Sequence, residues 1–80
     1  TITVIYNALI PGGAAVLAEA EDGASWTAIP QTDALPIGDN WIEVTRVLTG
    51  YSHDEARVRL TLTGTAQARP IVRNLQVIVT

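Results

Sequence analysis

A chain of 80 residues, 48% of them hydrophobic, with a formal charge of −3, has the length of one small domain and no more. Its five basic residues are all arginines scattered among eight acids, which excludes the clustered basic surface that nucleic-acid binding requires. The absence of cysteine excludes disulfides and thiolate zinc sites. No apolar run approaches the roughly 18–20 residues of a membrane span, and no signal-peptide pattern opens the chain.

A domain of this size buries only about 60–65% of its unfolded surface, so its stability margin is thin. Phe and Met are absent, which leaves Val, Ile, Leu, Ala and four aromatics, Tyr6, Trp26, Trp41 and Tyr51, to fill the core. Such a core is completed most readily by a neighbouring domain or subunit. The sequence starts in strand-like residues without Met and finishes in the apolar run Val77-Ile78-Val79, which suggests part of a longer polypeptide.

Residues 1–7 (TITVIYN) are β-branched and aromatic and predict a first strand with Ile2, Val4 and Tyr6 on one face. Pro11-Gly12-Gly13 breaks it. Residues 14–20 are alanine-rich, yet they are short and bracketed by turn signals, and are read as strand. Glu21-Asp22-Gly23 turns the chain into a short strand over 25–29, completing a hairpin in which Trp26 is expected in the core. Residues 30–39 hold two prolines and read as an irregular connection.

A strand over 40–49 follows, with Ile42, Val44, Arg46 and Leu48 on the core face and Trp41, Glu43, Thr45 and Val47 opposite. Arg46 is then expected near an edge or opposite an acid. The strictest alternation lies at 55–63 (EARVRLTLT): Ala56, Val58, Leu60 and Leu62 against Arg57, Arg59, Thr61 and Thr63. This pattern predicts a central antiparallel strand with Val58, Leu60 and Leu62 buried. Leu60→Ala is accordingly expected to cost roughly 2–5 kcal/mol. Arg57 and Arg59 are expected exposed, or paired with acids on a neighbouring strand. Pro70 opens a last strand to residue 79. The whole predicts an all-β fold, an antiparallel β-sandwich, jelly-roll-like, of about six strands in a single domain over 1–80.

No reaction is written in the residues. His53 is the single histidine, so no histidine cluster exists for a metal, and no cofactor is implied. Ser52-His53-Asp54 is a tripeptide, whereas a catalytic triad is a spatial arrangement. The acids do not form a loop dense enough for calcium. Sugar-binding sandwiches use exposed rings as platforms, and Trp41, Tyr51 and His53 are the candidate ligand residues, Tyr51 beside Gly50 being the one expected to be exposed. Ile5, Val47 and Ile78 are apolar on faces otherwise assigned to solvent, which makes them candidate interface residues.

The second half of the chain resembles the C-terminal β-sandwich modules of tailed-phage tail-fibre and baseplate proteins. The resemblance is carried by NWIEVTRVLTGY, EARVRLTLTG and ARPIVRNLQVIV, in particular Trp41, Glu43 and Thr45, then Arg57, Val58 and Arg59, then Pro70, Val72, Arg73, Leu75, Val77 and Ile78. It implies a multimeric, non-enzymatic virion part located in the tail, packed against other copies or domains of the same protein. The alternative is a carbohydrate- or receptor-binding sandwich, on such a particle or on an extracellular protein, with a host surface glycan as its partner.

Overall fold

The computed structural model describes residues 1–51 and 57–80, and they form two antiparallel sheets with no helix. The strands are β1 (Ile2–Leu9), β2 (Ala15–Asp22), β3 (Ser25–Ala28), β4 (Gln31–Gly38), β5 (Trp41–Leu48), β6 (Val58–Thr63) and β7 (Ile71–Val79). One sheet has the order β4-β5-β1-β7 and the other β3-β2-β6. The all-β sandwich expected from the alternation is therefore present, with seven strands instead of about six.

Alternation explains the core. In β1, Ile2, Val4, Tyr6 and Ala8 are fully buried while the residues between them are half-buried on the outer face. Val44 of β5 and Val16, Ala18 and Ala20 of β2 meet them from both sheets, with Ile29 and Tyr51 closing the cluster. Among the described residues Tyr6 is the only aromatic of the largest fully buried side chains, so the space between the sheets is filled mainly by aliphatic residues.

The additional strand is β4, in the stretch expected to be irregular. Prolines at 30 and 36 read as breakers, but Pro36 pairs with Ile42 on the outermost strand, where its missing N–H breaks no second ladder. A two-residue turn then reverses the chain into β5, with Asp39 at φ 54° and Asn40 at φ 65°. Two successive positive φ values are what a hairpin needs to match strand twist, and Asp and Asn tolerate them better than most residues.

The strand expected at the centre is an edge. Among the described residues β6 pairs only with β2, and Leu62 is 44% exposed while Val58 and Leu60 are half-buried against the core. Residues 52–56, which include the start of the expected strand, lie outside the described residues. The two arginines behave as expected: Arg59 of β6 pairs with Glu19 at 2.9 Å, and Arg57, just before the strand, with Glu21 at 3.6 Å. Trp26 is not in the core. It is 37% exposed on the outer face of the three-stranded sheet, with the Arg59 guanidinium 4.2 Å from its ring centroid.

Arg46 points inward and, among the described residues, meets no acid. Its Nε donates to the Tyr6 hydroxyl at 2.9 Å, one terminal nitrogen to the Ile29 carbonyl at 2.9 Å and the other to the Val16 carbonyl at 2.8 Å. The Ile29 N–H donates to Ala18 in one sheet, while the Pro30 carbonyl accepts from Val47 in the other. The chain thus crosses between sheets in two residues, and Arg46 holds the crossing point.

Two stability measurements follow. Ile2→Ala, at a fully buried site on a central strand, should cost about 2–5 kcal/mol, and Leu62→Ala on the edge less than about 1 kcal/mol. Arg46→Met should cost about 2–4 kcal/mol because three acceptors lose their donor, and Arg46→Lys should recover little, since an ammonium lacks the planar fork. Denaturant midpoints of the folded variants check both.

Candidate functional site

β7 sets the geometry of the outer face of the four-stranded sheet. Its pairing with β1 shifts between Ile5↔Gln76 and Asn7↔Arg73, leaving Asn74 and Leu75 against the single residue Tyr6. Asn74 stands at φ 56°, a left-handed conformation that few residues other than Gly, Asn and Asp accept. This is a β-bulge, and it reverses the side on which every earlier residue of β7 emerges. Val77 and Val79 register with inward Val4 and Ile2, so unbroken alternation would turn Arg73 inward as well. The bulge turns Arg73 outward instead, opposite Asn7, and Val72 inward, opposite Ala8.

Once outward, Arg73 reaches across β1 to Trp41 at the start of β5, its guanidinium 3.9 Å from the ring centroid. Beside this stack lies a recess of about 390 Å³ lined by Ile5, Asn7, Glu43, Asn74, Leu75 and Gln76. Trp41 itself lines a different cleft, of about 540 Å³, with Leu9, Ile10, Pro11, Pro36, Asn40 and Ile42. Trp41 thus stands between a polar recess and an apolar one.

The sequence-derived candidates fare differently. Trp41 is half-buried on the outer face as expected, though one side of its ring is occupied by Arg73. Tyr51 is not exposed: it is 7% accessible and its hydroxyl donates to the Glu21 carbonyl at 2.8 Å, which removes it as a platform. Glycine before it suggested a surface loop, but a Phe-free core draws in the ring. His53 lies outside the described residues. Trp41 and Tyr51 flank opposite ends of the eight-residue β5, roughly 25 Å of extended chain apart, so they do not form one platform.

Ile5, Val47 and Ile78 do share a face. Val47 and Ile78 both register with Thr3, and Ile5 follows on the same side of β1. Ile78 is 46% exposed, while Ile5 and Val47 are half-buried, and Ile5 lines the polar recess. Sequence reading missed Asn7, Asn74 and Gln76. An asparagine flanked by strand-forming residues was the available signal, because Asn is depleted in regular strands and tolerated at bulges.

Among the described residues, no group of three or more His, Cys, Asp or Glu side chains is placed to hold a metal ion. No family model matches the chain, and no curated protein or solved structure shows significant similarity to it.

Tyr51→Phe should lower stability by about 1–2 kcal/mol through loss of the bond to Glu21. The thermal midpoint measures this. An unchanged midpoint would place the hydroxyl in solvent.

Proposed function

We propose that this chain is a non-enzymatic structural module of a phage tail or tail-like particle, packing against another domain or subunit through the edge formed by β7. The sequence resemblance of its second half supplies the class of particle. The observation that carries the packing is the character of β7. Ile71, Leu75, Val77 and Ile78 are 49%, 49%, 40% and 46% exposed, on a strand whose far side has no neighbour in its sheet among the described residues. An apolar edge with unpaired backbone groups favours association unless something covers it.

The opposite edge also exposes apolar side chains, Leu35 at 53% and Ile37 at 47%, but its strand carries obstacles to pairing that β7 lacks. β4 carries Asp33 and Pro36 and two register irregularities, devices that discourage a further strand. β7 has a bulge at Asn74 but neither charge nor proline from Leu75 to Val79. Val77 shares the core side with Val4, and Leu62 shares it with Val16, so a partner seated here would complete the thin core as well as the sheet.

The chain has no cysteine, so Ile78→Cys introduces a unique thiol in it at an exposed site. In an assembled particle this thiol should react with a maleimide at least about tenfold more slowly than in the dissociated chain, the protection expected of a desolvated contact. Equal rates in both states would refute packing at this edge.

A further inference from the structure

We propose that the polar recess on the outer face of the four-stranded sheet binds a neutral carbohydrate through Asn7, Glu43, Asn74 and Gln76. The register places Asn7 of β1 between Glu43 of β5 and Arg73 of β7, with Gln76 beside Ile5 one step along. All four polar side chains line one recess of about 390 Å³, within the range of about 300–1,000 Å³ common to ligand pockets. They project from three adjacent strands, which hold them more rigidly than loops do. The bulge at Asn74 brings that residue into the lining.

None of these four side chains makes a hydrogen bond to the protein among the described residues, and Arg73 makes only its contact with Trp41. Their chemistry selects the ligand class. Three amides offer donors and acceptors on planar groups, and the carboxylate adds two acceptors, an array that matches hydroxyls, each a donor and an acceptor at once. An apolar ligand would strip water from four polar groups and return no bonds. An anion would face Glu43. A bare metal ion would find one carboxylate, too few oxygen ligands of fixed charge for calcium. Glu43 and Arg73 flank Asn7 with opposite charges, which leaves the site close to neutral. Ile5 supplies an apolar contact for the C–H face of a sugar ring, and the Arg73–Trp41 stack stands at one end.

The recess opens on the outer face of the sheet and shares Leu75 with the β7 edge, but its test reads sugar binding by the dissociated chain, so its failure is distinguishable from failure of the packing reading. The test is an amide-shift titration of the 80-residue chain with neutral gluco-, galacto-, manno- and N-acetylhexosamine oligosaccharides, and in parallel with acidic ones carrying uronic or sialic acid. Shifts should concentrate at Asn7, Glu43, Arg73, Asn74 and Gln76 for at least one of them. Asn74→Gly, which keeps the left-handed backbone while removing the amide, should weaken binding at least about tenfold, the worth of about one lost hydrogen bond. Gln76→Ala and Glu43→Gln, which leave the bulge intact, should each weaken it measurably. Thr61→Ala on the outer face of the other sheet should not. The proposal is overturned by absence of shifts with every sugar, by shifts centred elsewhere, by binding confined to acidic sugars, or by unchanged affinity in Gln76→Ala and Glu43→Gln.

Discussion

The sandwich depends on one charged side chain placed where sandwiches usually place a hydrophobic one. Arg46 lies on the inner face of β5 and spends its guanidinium on three neutral oxygens: the Tyr6 hydroxyl and the carbonyls of Val16 and Ile29. Those acceptors belong to β1, to β2 in the facing sheet, and to the residue where the chain leaves one sheet for the other. A planar fork of five donors suits three separated acceptors as no other side chain does. Its stem also occupies space that a core without Phe or Met does not otherwise fill. The desolvation cost of the charge is offset by charge-assisted bonds and by partial access to water. One residue thereby fixes the spacing of the sheets and the position of the β3–β4 crossing.

The second constraint is the bulge. By reversing the face of the first part of β7, Asn74 sends Val72 to the core and Arg73 onto Trp41. An analogous contact occurs on the other outer face, where Arg59 of β6 crosses β2 to Trp26 of β3. In each sheet an arginine from the β6 or β7 edge reaches over a central strand to a tryptophan beyond it. Stacking of this kind shields a ring that would otherwise be left in water, at an exposed-site gain of about 0.5–1 kcal/mol. It also explains why both tryptophans, the largest apolar residues available, are outside the core: their faces are covered from the surface.

How much of this was legible follows from what a pattern of alternation encodes. The faces of β1 and β5 were correctly assigned, because period-two burial records which side each residue takes. Alternation does not record which strands are neighbours. The strictest pattern in the chain, around Val58 to Thr63, therefore passed for a central strand although it is an edge. β4 was hidden by prolines that are disruptive only inside a sheet. Arg46 is expected near an edge or opposite an acid, since a sequence does not show that backbone carbonyls from another sheet will converge on it. Tyr51 was read as exposed from its glycine neighbour, whereas its long-range bond to Glu21 decides its burial. Asn7, Asn74 and Gln76 become a group only through the shifted register.

The bulge also limits how β7 can be covered. A ladder added to its free side has regular backbone on either side of Asn74 but not through it, since the extra residue interrupts the spacing of donors and acceptors. Toward the N-terminal side lie Ile71 to Arg73, three residues beside Pro70, too few for a stable pairing. Toward the C-terminal side lie Leu75 to Val79, five residues with apolar groups on both faces and no charge or proline to discourage a partner. Association by strand addition is therefore confined to that half, where Val77 and Ile78 are exposed. The amide and guanidinium groups that the bulge turns to the outer face remain beyond the reach of such a ladder. Two residues of the recess, Leu75 and Gln76, lie in the open half, so a neighbour seated there would border the recess while Arg73 and Asn74 stand outside the ladder.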